Sequence, residues 1–106
     1  MRILIDECVD WRLARDIVGH DVKTAHQMGW AAIKNGEPLT LVSQHFDVFV
    51  TVDQNLPFQQ NVSSYAAAVL VLRAKTNRLA DLRPLVPKLL AALDLARPGA
   101  VDTIGA

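Results

Sequence analysis

The sequence predicts an α/β fold: a three-layer sandwich around a central, mainly parallel sheet, formed by a single domain over residues 1–106. Three observations point there. Short β-branched apolar runs alternate with stretches whose apolar residues follow helical spacing, the pattern of successive βα units. The run from Ala66 to Leu72 is almost continuously apolar and rich in valine, as in a parallel strand buried on both faces. Two further runs, Ile3-Leu4-Ile5 and Val48-Phe49-Val50-Thr51-Val52, stop on the carboxylates Asp6 and Asp53. An open parallel sheet presents groups to a ligand at that end of its strands.

The elements follow in order. Residues 2–5 form the first buried strand. Val9, Leu13, Ala14, Ile17 and Val18 repeat at helical spacing, giving an amphipathic helix over 9–18 that Gly19 closes. His20 to Ala25 makes a short second strand, and 26–36 is loop-like, with Met28, Trp30 and Ile33 turned inward. Asn35 caps a helix whose first turn holds Glu37 and Pro38 and whose apolar positions are Leu39, Leu41, Val42 and Phe46. Strand three covers Val48–Val52, and Asp53-Gln54-Asn55-Leu56-Pro57 breaks it. Gln59 to Ser64 is a short helix or loop, followed by the strand Ala66–Leu72. The longest helix lies within Leu79–Ala96, starting near Arg83 because Pro84 and Pro87 fit best in a first turn, with 78–82 as a preceding turn. Ala100–Ile104 is a last edge strand.

Composition narrows the function classes. A 51% apolar content is ample for one core, and no apolar run is long enough for a transmembrane helix. Acids follow Ile3-Leu4-Ile5 at once, unlike a signal peptide. The single cysteine, Cys8, excludes an internal disulfide and fits a reducing, cytoplasmic setting. At the mouth of a helix its thiol pKa could be lowered, although packing is the commoner role. Net charge is zero, so the chain is not a strongly basic nucleic-acid binder as a whole. The charge is split, however: five basic and eight acidic residues up to position 60 give −3, and six basic and three acidic residues beyond it give +3. That division suits a metal site beside a phosphate-binding surface, or an ordinary solvated exterior.

Asp6 and Asp53 each end a strand of one sheet, and Glu37 opens a helix that faces the same edge. Three carboxylates meeting in one cleft repel one another unless a cation is bound, and hard oxygen ligands select Mg²⁺ or Mn²⁺. Metal-assisted phosphodiester hydrolysis is the chemistry such a site performs. Arg73, Lys75 and Arg78 lie just past the strand ending at Leu72, where they could hold an RNA backbone or merely solvate a turn. Each acid also has a plain structural reading. Asp6 or Glu7 could cap the helix from Val9, Glu37 could serve a helix dipole, and Asp53 could be a turn residue. His20, His26 and His45 show no zinc-like spacing, and no phosphate-binding glycine motif is present.

Through Leu4-Ile5-Asp6-Glu7, Gly19-His20-Asp21-Val22, Asn35-Gly36-Glu37, the stretch Phe46 to Leu56, and Val69-Leu70-Val71-Leu72-Arg73, the chain resembles the PIN-like nuclease superfamily. Within it, the resemblance is to the short PIN-like proteins often encoded beside an antitoxin-like partner in bacteria. The resemblance implies a Mg²⁺- or Mn²⁺-dependent endoribonuclease, the toxin half of a toxin–antitoxin pair. Asp6, Glu37 and Asp53 match the family's acids, Thr51 matches the small hydroxyl residue before the last of them, and a homodimer is a family-level expectation. In that reading Thr51 and Asn55 orient a ligand or water, while Arg73, Lys75 and Arg78 bind phosphate. One departure stands out: Asn55 occupies a position where PIN nucleases usually carry a further acid, for which Glu7 compensates only in part. Three carboxylates fit one ion rather than two. The rival reading is therefore an inactive PIN-like module that binds RNA or a protein partner, with a phosphatase-like metal hydrolase as a third.

Overall fold

The computed structural model describes residues 1–28, 42–55 and 62–105. Five parallel strands form one sheet: β1 (Arg2–Ile5), β2 (Asp21–Thr24), β3 (Val48–Thr51), β4 (Ala68–Arg73) and β5 (Val101–Gly105). Their spatial order is β2-β1-β3-β4-β5. The chain steps from β1 outward to β2, then returns to the other side of β1 to lay down β3. The β1/β3 boundary is thus the point where strand order reverses. The fold is α/β, as the alternating pattern predicts, and the edge strand at the C-terminus is real.

Why these segments are strands is visible in their burial. Ile3, Leu4 and Ile5 have no exposed surface, and Val48 through Thr51 are at most 1% exposed. Successive side chains point to opposite faces, so the continuous apolar runs feed two cores at once. Ile3, Ile5, Val48, Val50, Ala68, Leu70, Leu72 and Ile104 pack on one face with Leu13, Leu82, Leu85, Leu89 and Leu93 from the helical segments. Leu4, Phe49, Val69 and Val71 pack on the other with Val42, Phe46 and Val62. Each of the Val, Leu, Ile and Phe side chains among them contributes about 1.5–3 kcal/mol by leaving water.

The helices depart from expectation in two places. The segment read as an amphipathic helix over 9–18 is a six-residue 3₁₀ helix, Trp11–Asp16. Asp10 starts it, its carboxylate accepting the Arg12 N–H at 3.0 Å, while the Leu13 N–H binds the Asp10 carbonyl in the tighter i to i+3 pattern. Val9, Leu13 and Ile17 are buried as the spacing requires, but Val18 is exposed. The shorter helix turns it out of the stripe. Residues 78–82, read as a turn, include the helical segment Leu79–Leu82, launched from extended Arg78 and steadied by a Thr76 hydroxyl donating to the Asp81 carboxylate. Pro84 then sits in the 3₁₀ turn Arg83–Leu85 and Pro87 opens the helix Val86–Leu93, so each proline occupies an early position where no N–H is missed. Residues 42–45 are helical, and Val62–Ser64 is a 3₁₀ turn. The predicted start of the helix capped by Asn35, with Glu37 and Pro38, lies outside the described residues, as do Trp30, Ile33, Leu56 and Pro57. Among the described residues no helix is long and apolar enough to cross a membrane.

Among the described residues two glycines adopt left-handed backbone, with different surroundings. Gly19 has φ +83° and open space where a Cβ would stand. Gly99 has φ +80°, and a Cβ there would lie 3.0 Å from the Ser63 carbonyl oxygen. Gly19→Ala should therefore cost only the left-handed backbone penalty of about 1 kcal/mol, and Gly99→Ala clearly more. The urea midpoints of the two variants check the ranking; equal losses would show that the Ser63 contact relaxes freely.

Candidate functional site

Asp6 leaves β1 where the strand order reverses. Its backbone N–H binds the Val50 carbonyl at 2.9 Å, and the preceding Ile5 carbonyl accepts the Ala25 N–H at 2.9 Å. Residue 6 is thereby anchored by both neighbouring strands. Its carboxylate does not cap the following helix; that role falls to Asp10. Instead Asp6 Oδ1 accepts the Glu7 N–H at 2.7 Å, and Oδ2 accepts the Thr51 hydroxyl at 2.6 Å and the Cys8 thiol at 3.2 Å.

Thr51 has no exposed surface, so its hydroxyl needs partners on both sides. It donates to Asp6 and accepts the Asp53 N–H at 3.0 Å. The Asp53 carboxylate in turn accepts the Asn55 N–H at 2.9 Å, an Asx turn that fixes the chain leaving β3. Asp6, Thr51, Asp53 and Asn55 form one hydrogen-bonded chain across the β1/β3 switch point. An oxygen has two lone-pair directions, and Oδ2 of Asp6 uses both; Oδ1 keeps one for an incoming group.

A cleft of about 750 Å³ opens over this edge, lined by Asp6, Glu7, Cys8, Asp10, Arg12, Thr24, His26, Asn77 and Arg78 together with Val9 and Trp11. Asp53 does not line it. Of the three predicted phosphate-binding cations, all exposed, Arg78 reaches this cleft. Arg73 instead lines a smaller hollow of about 330 Å³ with Val52, Gln54 and Asn77, and Lys75 lines neither. The structure thus brings together Asp6, Glu7 and Arg78, joins Thr51, Asp53 and Asn55 to Asp6 through hydrogen bonds, and leaves Arg73 and Lys75 outside the cleft. Glu37 lies outside the described residues, among which no group of three or more His, Cys, Asp or Glu side chains is placed to hold a metal ion.

Trp11 and Asn77 line the cleft without any sequence motif to mark them, and His26 does so despite its lack of zinc-like spacing. Asn77 Nδ2 donates to the Cys8 carbonyl at 3.3 Å, tying the loop after β4 to the loop after β1. The His26 imidazole walls the cleft beside Thr24. Trp11 carried a usable signal: a large aromatic on the polar side of an amphipathic segment, flanked by Asp10 and Arg12.

The Cys8 thiol is not activated. Although the residue is exposed, partial desolvation beside the sheet edge pushes its pKa up, and the neighbouring Asp6 charge adds to that, outweighing hydrogen bonds from the Val52 backbone and Thr51 that favour the thiolate. With the pKa raised in the folded state, the associated stabilisation is full below the ordinary thiol pKa and fades as pH rises through the folded value. Alkylation by iodoacetamide should accordingly be slower for the folded chain than for the chain in urea at pH 8. Faster reaction of the folded protein would contradict the assignment.

Comparison with protein-family models, with curated proteins and with solved structures finds no match to this chain.

Proposed function

We propose that this chain is a PIN-like, Mg²⁺- or Mn²⁺-dependent endoribonuclease with a three-layer architecture, acting as the toxin partner of an antitoxin protein. The observation that carries the reading is the hydrogen-bonded line Asp6–Thr51–Asp53 at the β1/β3 switch point, where an open parallel sheet binds its ligands. The apolar clusters on both faces of the sheet support the layered architecture. Asp6, through the spare lone pair of Oδ1, and Asp53, through the oxygen not used by Asn55, are donors of the hard kind such an ion takes, with Glu37 as the third acid of the set. When bound, the ion supplies a water of lowered pKa and offsets phosphate charge.

The protein's own groups would do the rest. Thr51 and the Glu7 N–H hold the Asp6 carboxylate in one orientation, so no ordering is required when substrate arrives. Arg78 offers the cleft a cation free of ion pairs among the described residues, suited to a backbone phosphate, while Arg73 and Lys75 are exposed outside the cleft, where a longer RNA backbone would have to reach them.

A second reading rests on Asn55, an amide in place of a further acid: a PIN-like module that binds RNA or its protein partner without cutting. Incubating the protein with a panel of RNAs in Mn²⁺, and in parallel with EDTA, decides between them. Metal-dependent cleavage supports the nuclease; RNA retention without cleavage supports the binding module; neither cleavage nor retention overturns the RNA reading.

A further inference from the structure

Beside the Asp6 cleft lies a second hollow of about 620 Å³, lined by Trp11, Ala14, Arg15, Val22, Thr24, His26 and Gln27. The two share Trp11, Thr24 and His26 in their linings, so they adjoin. Trp11 is 56% exposed, although the flanking core residues Val9 and Leu13 are at most 4% exposed. Its ring is not a packing element. The Arg15 guanidinium lies 4.9 Å from the ring centre, placing a positive charge against the indole, and no carboxylate among the described residues pairs with Arg15. Arg12, by contrast, is bound to Asp10 by two hydrogen bonds, which pull the Asp10 carboxyl down to about 2, so its charge is largely spent. Gln27 commits its Oε1 to the Thr24 N–H at 2.9 Å, leaving donor N–H groups as what its amide can still offer.

We propose that this hollow is a nucleobase subsite: one unstacked base of a single-stranded RNA lies on the Trp11 indole, and the adjoining backbone runs past Arg15 into the Asp6 cleft. The proposal rests on the reading that the chain acts on RNA and adds the side chains that receive one base of it, Trp11 and Arg15, in a hollow outside the acid-bearing cleft. The chemistry fits the parts present. A flat π surface stacks any base, a neighbouring guanidinium meets the phosphate, and an imidazole and an amide can contact base edges. A protein partner seated on the exposed tryptophan is the competing occupant, but it would not require an unpaired cation beside the ring or a position adjoining the acid-bearing cleft.

The test uses two fluorescently labelled probes, oligoadenylate r(A)₆ and a hexamer of the same charge with every base removed, and measures anisotropy in metal-free, low-salt buffer so that nothing is cut. Loss of one stacked base predicts that Trp11→Ala weakens r(A)₆ binding by about five- to a hundredfold. The same variant should leave the abasic probe unchanged, Trp11→Phe should recover most of the affinity, and circular dichroism should confirm the fold. Unchanged r(A)₆ affinity in Trp11→Ala, or equal losses for both probes, overturns the subsite. If the wild type binds neither probe, the RNA reading itself fails. If binding depends on Trp11 but no RNA is ever cut, the subsite stands and only the nuclease fails.

Discussion

Asp6→Asn is expected to lower Mn²⁺-dependent RNA cleavage by about a hundredfold or more. The substitution removes one negative charge from the switch point while keeping nearly the same shape. If Asp6 holds the ion that offsets phosphate charge in the transition state, losing about 3 kcal/mol of that stabilisation corresponds to a factor of roughly 10². The local hydrogen bonds make a structural control necessary. Asn keeps an acceptor for the Glu7 N–H but replaces Oδ2 with an amide, so the Thr51 hydroxyl and the Cys8 thiol lose their acceptor. Leaving the buried Thr51 hydroxyl to reorient costs about 1–3 kcal/mol of stability. Thr51→Val, which removes that hydroxyl and spares the charge, should share the stability loss but retain much more activity. Cleavage at the wild-type rate by Asp6→Asn would exclude Asp6 from the site. Equal inactivation by both variants would mean that orientation, rather than charge, is what Asp6 contributes.

Phe49→Ala should produce the largest loss of stability. Phe49 is 1% exposed on β3, the middle strand of the sheet, and packs on the face shared by Leu4, Val69 and Val71. Deleting a buried phenyl ring costs about 3–5 kcal/mol, against the roughly 5–15 kcal/mol that holds a domain together. Urea unfolding followed by far-ultraviolet circular dichroism would show it as a fall in midpoint at constant slope. A loss below about 1 kcal/mol would mean that this face carries little of the stability.

Much of the fold was legible because parallel strands buried on both faces leave uninterrupted apolar runs. Residues 2–5 and 48–51 were read to within a residue, and β4 was shifted by only two at its start. The helices were less legible for a physical reason. Spacing reports which side chains are buried, and Val9, Leu13 and Ile17 are; it does not distinguish an α-helix from a shorter 3₁₀ turn held by the Asp10 cap. Likewise Pro84 and Pro87 marked first turns correctly, but not that a separate helical turn, Leu79–Leu82, precedes them.

The candidate site divides along the same line. The sequence by itself determined that Asp6 and Asp53 end parallel strands, because an apolar run stopping on a carboxylate is a local, one-dimensional fact. Only the tertiary structure decided that β1 and β3 are neighbours across the reversal of strand order, and that the Thr51 hydroxyl links the Asp6 carboxylate to the Asp53 backbone N–H. It alone brought Trp11, His26 and Arg78 to one cleft, although Arg78 is more than fifty residues from the others in the chain. Strand pairing depends on which faces must be buried together, and that is settled by the whole core at once rather than by any single segment.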